Sequence, residues 1–326
     1  MLVIIDADPI VYRAGFAGEA HERHVVWSPH DSDDIKEAIF TPDGEKTAYK
    51  QLQEWMKSYE ETHGEEPAVL MSEVVVVPEP LDHVLHTVKR IIQETLHSVA
   101  EHYGLDIFDL SYRILLSGPG NFREDLATVA VYKGNRKDTH KPHWYQQIRN
   151  YLTDNWDAEV IEGREADDEC AIASRSHDGP AVICTIDKDL DQVPGNHYDY
   201  VRKTHYQVDE EEGEMLFYQQ ILSGDSTDNI PGCYKIGKVK AEKILDSVYL
   251  EHGLDRDRIW QAIIDTYKAS IDHYGEDCPY YELATEQGVE AVAIEMARLV
   301  KMQDYEGQLW TPHNQPDMLL EDKDSE

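Results

Sequence analysis

Four groups of carboxylates punctuate the 326-residue chain: Asp6 with Asp8, Glu165-Ala-Asp167-Asp168, Asp187-Lys-Asp189, and Asp225-Ser-Thr-Asp228. Such side chains are hard oxygen donors that suit magnesium or manganese. Two ions about 4 Å apart would activate a water and steady a leaving oxygen, which hydrolyses a phosphodiester without a serine or histidine nucleophile. Acids make up 65 of the 326 residues, so any one group could instead cap a helix or face solvent; Glu210-Glu211-Glu212 reads as a run of that kind. The order and context of the four groups favour a metal cradle.

The elements that must position them follow from the apolar pattern. Met1 to Asp6 is a continuous apolar run ending in a carboxylate, the mark of a buried parallel strand whose carboxyl end carries Asp6 and Asp8. Open α/β sheets place their sites at that end. Tyr112 to Leu116 and Ala181 to Ile186 read as further strands, the latter running directly onto Asp187, with a short strand at Glu159 to Ile161. Helical spacing is clear from Leu81 to Ala100. Helices are also expected over Tyr145 to Leu152 and Glu165 to Ser174, where Glu165 and Asp168 fall three apart on a similar face. The alternation predicts an α/β fold, a mostly parallel sheet flanked by helices.

The segment from about 15 to 80 reads as an insertion. It holds the acids Asp31, Asp33, Asp34, Glu60, Glu61, Glu65 and Glu66, a helix near Thr47 to Glu60 and a strand at Val74 to Val77. The chain divides on this reading into an α/β domain over residues 1–213, a helical module over 214–268, and a C-terminal extension over 269–326. In the extension, Gly288 to Val300 reads as a helix, Gln308 to Thr311 as a strand and Leu320 to Glu326 as a frayed acidic end.

A formal net charge of −35 argues against nucleic acid as a partner when taken alone. The distribution argues otherwise. Between Val131 and Asn150, Lys133, Arg136, Lys137, Lys141 and Arg149 face a single acid, Asp138; between Asn229 and Leu245, Lys235, Lys238, Lys240 and Lys243 face only Glu242. In the second island Gly232 and Gly237 allow a sharp turn, and the N–H groups that open the following helix can cradle a phosphate beside Lys238 and Lys240. That pattern fits a clamp on a nucleic-acid backbone and, equally, an ordinary helix hairpin with a solvated lysine face. No run approaches the roughly 18 apolar residues of a membrane span, and the N-terminus carries no basic leader, so a cytoplasmic protein is expected. The four cysteines lack metal or disulfide spacing and read as buried thiols.

The combination of Glu165-Ala-Asp-Asp168, Thr185-Ile-Asp-Lys-Asp189 and Gly224-Asp-Ser-Thr-Asp-Asn-Ile-Pro-Gly232 with Lys235-Ile-Gly-Lys238 resembles the 5' nuclease superfamily of flap endonucleases and 5'-3' exonucleases. The resemblance covers Met1 to Asp8 and, nearly continuously, Tyr112 to about Leu245. With no polymerase region, it looks like a stand-alone, phage-type member, acting as a monomer in the host cytoplasm. The family implies a PIN-like sheet, a helix-three-turn-helix module with a bound potassium ion, and two Mg²⁺ or Mn²⁺ ions. Carried over by motif, Asp6, Glu165, Asp167, Asp168, Asp187, Asp189, Asp225 and Asp228 would be metal ligands or their outer shell. Tyr132-Lys-Gly-Asn-Arg136 resembles the family's gateway motif, with Lys133 on the scissile phosphate and Arg136 positioning the strand. Tyr132 would stack on a base there or, the reading favoured, pack in the interior; Arg13 would add a phosphate contact, and Gly232, Lys235, Gly237, Lys238 and Lys240 would grip the duplex. The implied substrate is DNA with 5' ends or flaps, with RNA–DNA hybrids as a further option. One departure stands out: Ser117 occupies the position of a family aspartate, with Glu124 and Asp125 as the nearest substitutes. A junction-binding protein with weakened catalysis is therefore the main alternative. A metal-dependent phosphatase would leave the basic islands unexplained.

Overall fold

A computed structural model describes residues 1–29, 35–40, 45–136, 140–312 and 318–319. Asp31, Asp33, Asp34, Lys137, Asp138 and the acidic end Leu320 to Glu326 lie outside the described residues. In chain order the first elements are β1 (Leu2–Asp6), α1 (Asp8–Ala17), β2 (Glu19–Ser28), β3 (Lys36–Phe40), α2 (Glu45–His63), β4 (Ala68–Pro78) and α3 (Leu81–Tyr103). Then come β5 (Ser111–Ser117), α4 (Phe122–Leu126), α5 (Tyr145–Trp156), β6 (Glu159–Ile161), α6 (Ala166–Ser176), β7 (Ala181–Cys184), β8 (Gly195–Asp199) and β9 (Thr204–Val208). The chain continues through α7 (Glu210–Ser223), α8 (Lys238–His252), α9 (Arg256–Tyr274), α10 (Tyr281–Gln287) and α11 (Val289–Val300). A two-residue antiparallel ladder, Gln308–Leu309 with Met318–Leu319, follows. The fold divides into two compact units: Met1–Pro9, Gln93–His140 and Leu152–Glu326 in one, Ile10–Ile92 and Lys141–Tyr151 in the other.

The first unit is built on a six-stranded sheet in the order β6-β5-β1-β7-β8-β9, parallel except for β9. All of β1 is buried, so an unbroken apolar run can pair on both sides, Leu2 opposite Ser111 of β5 and opposite Ala181 of β7. α6 covers it: Ala166, Cys170 and Ala171 pack with Ile4, Leu115 and Ile183. The chain leaves β1 for β5 and β6 on one side and returns to β7 on the other. β1 and β7 thus meet at the point where strand order reverses, the place where α/β sheets open a crevice beyond their carboxyl ends. The expected mostly parallel sheet is present. β8 and β9 were not expected, because Gly195-Asn-His-Tyr-Asp and Thr204-His-Tyr-Gln-Val carry no apolar run; pairing and burial of His197 and Tyr198 hold them instead.

In the same unit, α7, α8, α9 and α11 enclose a second core that includes Ile221, Leu222, Leu245, Ile263, Tyr267 and Met296. Residues beyond 268 share that core, and α9 runs on to Tyr274. Asp209 accepts from Glu212 N at 2.7 Å and Glu212 accepts from Asp209 N at 3.2 Å. This capping box gives the acidic run Glu210–Glu212 a structural place at the positive end of α7. All four cysteines are free and buried.

The second unit contains the segment read as an insertion, an antiparallel sheet in the order β3-β2-β4 with α2 against it. Trp27 of β2 meets Trp55 and Tyr59 of α2 edge-on at 5.1 and 5.0 Å. α2 and β4 are both longer than the spacing predicts, and β2 and β3 were not expected, since charged and histidine residues interrupt their alternation. Among the described residues no helix is long and apolar enough to cross a membrane.

Candidate active site

The first unit gathers the four acidic groups at the carboxyl edge of its sheet. Asp6 ends β1 and is buried. Thr185, just past β7, donates its hydroxyl to Asp6 Oδ2 at 2.9 Å and accepts from the backbone N–H of Asp187 at 3.0 Å. One hydroxyl therefore sets the carboxylate of one strand end against the turn that follows the next. Asp187 Oδ1 accepts in turn from the Asp189 N–H at 2.9 Å, and Gln220 of α7 donates to Asp189 Oδ1 at 2.6 Å. No cation salt-bridges Asp6, Asp187 or Asp189 among the described residues. Burial, then Asp8, pushes the Asp6 carboxyl up to about 8 against the lowering pull of Thr185, with Asp187 adding to the rise. Burial and Asp187, then Asp225, raise Asp189 to about 7. Asp187 is raised by burial, Asp228 and Asp225.

The other acids are held by cations. Glu165 stands at the N-terminus of α6, and its carboxylate takes the Lys133 ammonium at one oxygen and the Tyr132 hydroxyl at the other, 2.8 Å away. Asp228 accepts from Arg136 Nη2 at 2.5 Å and lies 2.9 Å from the same Tyr132 hydroxyl and 3.5 Å from Lys133 Nζ. Burial alone would lower the Lys133 ammonium; Glu165, Asp228 and Asp167 outweigh it and leave it raised. The Tyr132–Arg136 segment is tied to the 225–229 loop through its backbone as well: Lys133 N donates to Asp228 O at 2.8 Å, and Asn229 Nδ2 to Val131 O at 2.9 Å. Lys133 adopts φ 51° to make that fit. Tyr132 is 7% exposed, so its ring packs in the core and is not offered to a base.

Asp168 is taken fully out of solvent. Arg123, 1% exposed, forks onto its two oxygens at 2.5 and 2.8 Å and donates two further N–H groups to Leu299 O and Lys301 O, each at 2.8 Å. Both Asp168 oxygens are thus committed to a guanidinium, which leaves it an outer bracket and not a free ligand as the structure stands. Asp167 beside it is raised by burial and by Glu165 and Asp168.

Ser117, the position of the absent aspartate, does different work. Its N–H donates to Asp8 Oδ2 at 2.9 Å and its hydroxyl accepts from Ala166 N at 2.9 Å, so it joins the ends of β5 and β1 to the start of α6. Glu124 and Asp125 are exposed on α4. Arg13 is exposed on α1, in the second unit.

The donor set suits a hard divalent cation in chemistry: oxygen ligands only, with like charges raising one another. Glu165, Asp189, Asp225 and Asp228 line one narrow cavity. Among the described residues no three His, Cys, Asp or Glu side chains converge closely enough to hold an ion as they stand. Lys133 and Arg136 sit among these acids, and their positive charge meets part of the need.

The second basic island forms the turn between α7 and α8. Gly224 (φ 67°) and Gly232 (φ 62°) touch backbone to backbone, where a Cβ on Gly232 would lie 2.2 Å from Gly224 N. A two-way backbone pairing of Asp225 with Ile230 closes the loop that carries Asp225 and Asp228. Gly237 caps α8 without a side chain, leaving Lys238 and Val239 at its first turn, exposed beside Lys240, whose ammonium donates to Lys235 O at 3.1 Å. Sequence reasoning placed the acids and the turn but missed the neutral bracing by Gln192 and Gln220 and the guanidinium of Arg123. Arg123 follows Ser-Gly-Pro-Gly-Asn-Phe in what reads as a loop, and the glutamines carry no motif.

No family model matches the sequence, and no curated protein matches it. Among solved structures, the chain is similar to the T5 D15 protein co-crystallised with metal ions, at 16% identity and a TM-score of 0.43 over 93% of this chain and 94% of that one. It is also similar to T5 5'-exonuclease with zinc bound, at 20% identity and a TM-score of 0.42 over 65% and 91%, and to a lysine-to-alanine mutant of that exonuclease, at 17% and 0.39 over 64% and 84%. Likeness this distant leaves the reading of the site to the site's own geometry.

Proposed function

We propose that the chain is a divalent-metal-dependent nuclease that hydrolyses phosphodiester bonds at or near 5' ends or flaps of DNA. The observation that carries this reading is the meeting of carboxylates from four distant stretches of sequence at the β1/β7 switch point, with Lys133 and Arg136 seated among them. Asp6, Glu165, Asp167, Asp187, Asp189, Asp225 and Asp228 would hold two Mg²⁺ or Mn²⁺ ions. Bound there, the ions would supply an activated water and neutralise the leaving oxygen. Thr185 orients Asp6, and Gln220 orients Asp189. Lys133 and Arg136, once they leave Glu165 and Asp228, are the cations within reach of a phosphate at the same edge. The α8 N-terminus with Lys235, Gly237, Lys238 and Lys240 would grip the duplex backbone, with potassium at the turn near Gly232. Activity on RNA–DNA hybrids and a monomeric state belong to the same proposal.

Two observations favour the alternative, a junction-binding protein with weakened catalysis: Ser117 supplies no carboxylate, and internal cations already neutralise Glu165 and Asp228. A 5'-labelled flap duplex in Mg²⁺, run beside Asp187→Ala/Asp189→Ala and an EDTA control, decides between them. The nuclease reading expects metal-dependent cleavage that the double variant loses by more than about a hundredfold, the upper scale for disturbing even a metal site's supporting residues. Binding without cleavage in every metal tried would end it in favour of the junction reading.

A further inference from the structure

One short stretch, Leu299–Gln303 at the end of α11, touches the supports of two separate carboxylates. The first route begins at the backbone N–H of Met302, which donates to Gln192 Oε1 at 3.3 Å. The Gln192 amide donates one hydrogen to Val300 O at 2.7 Å and the other to Gln220 Oε1 at 2.6 Å, and Gln220 passes its own amide hydrogen to Asp189 Oδ1 at 2.6 Å. Apart from the side branch to Val300 O, each link from Met302 N to Asp189 donates an N–H onward to the next oxygen, and the last acceptor is a carboxylate. Amide dipoles aligned in series polarise one another, so the last donor is stronger than a lone amide. The second route runs from Leu299 O and Lys301 O through the Arg123 guanidinium to Asp168, whose Oδ1 also accepts from Gln303 N at 3.2 Å.

We infer that the Leu299–Gln303 segment is part of the frame of the metal site, with Gln192 and Gln220 acting as positioning residues for Asp189 and Arg123 for Asp168. The inference rests on the metal-dependent reading above. Leu299, Val300 and Met302 line the same narrow cavity as Glu165, Asp189, Asp225 and Asp228, so the segment forms its wall as well as its brace. Gln192 is 3% exposed and all of its polar atoms are spent on this chain of contacts, which leaves it no other partner to serve. Buried amides need partners in any protein. What singles this relay out is its terminus on a carboxylate that no cation salt-bridges among the described residues.

The test measures Mn²⁺ binding to the full-length protein by electron paramagnetic resonance, with thermal unfolding recorded alongside. Gln192→Met and Gln220→Met each break the relay at similar side-chain length. The expected result is affinity weaker by about ten-fold in each, the scale of lost outer support at metal sites, with the double variant no weaker than the weaker single one, since the links act in series. A purely structural role would lower the unfolding temperature and leave the affinity alone. Wild-type affinity in both folded variants, or losses that simply add in the double variant, would overturn the relay. Absence of Mn²⁺ binding in the unaltered protein would overturn the metal-dependent reading itself and this inference with it.

Discussion

The acidic edge has two halves that solve the same electrostatic problem in opposite ways. Around Asp6, Asp187 and Asp189 the partners are neutral donors, a threonine hydroxyl, backbone N–H groups and an amide, and the carboxyls stay raised, to about 8 at Asp6 and about 7 at Asp189. Around Glu165, Asp168 and Asp228 the partners are Lys133, Arg123 and Arg136. With no cation salt-bridged to them among the described residues, the carboxyls of the neutral half hold their protons to higher pH, and a bound cation would take the place of those protons. The cationic half is closed by its own basic side chains; on the proposed reading, ion binding and release of Lys133 and Arg136 toward a phosphate would be two sides of one exchange.

The contrast can be broken at its most buried point. Arg123→Ala should cost roughly 3–5 kcal/mol in urea unfolding, because it leaves the Asp168 charge buried without a partner. Replacing both partners, Arg123→Met with Asp168→Leu, should recover most of that; if the single change costs under about 1 kcal/mol, Asp168 is not held as a charge. The next effect is at Lys133. Lys133→Met should lower the cleavage rate by about 10²–10³-fold, the scale for losing one aimed charge at a reacting centre, while Mn²⁺ binding tightens because Glu165 is freed. Weaker Mn²⁺ binding would show that the lysine supports the ligands and does not compete for them.

The smallest effect is pH-dependent stability of the metal-free protein in EDTA. A carboxyl raised on folding binds more protons in the native state, so its contribution is full below the unfolded value and is lost progressively as pH rises from there through the folded one. Asp6 and Asp189 therefore predict an unfolding temperature that falls by a few degrees between pH 6.5 and 8.5. His197, buried and lowered, has the opposite sign, but it acts only below its ordinary value of 6.5, where the unfolded chain takes the proton first. A flat or rising profile from pH 6.5 to 8.5 would mean that the neutral half is not short of positive charge.

Much of this edge is legible in the residues alone. An apolar run ending on Asp6 and another ending before Asp187 make two parallel strands whose carboxyl ends must be neighbours, and the structure pairs them. Glycines at 224 and 232 announce the tight loop between the acids and α8. What stayed hidden depends on partners far away in sequence. Nothing near Arg123 reveals that Asp168 lies across from it, 45 positions on. Gln192 and Gln220 are ordinary polar residues until the fold lines up their amides. β8 and β9 escaped for a related reason, since their polar side chains are buried by pairing and not by periodicity.

The central strand also dictates when the site can exist. β1 pairs with residues that begin at positions 111 and 181, and the loop bearing Asp225 and Asp228 is later still. Contacts so remote in sequence form late, because long loops must close before they are rewarded. During synthesis β1 thus waits for the strands that flank it, and the acidic cluster comes together only after the loop bearing Asp225 and Asp228 has been made.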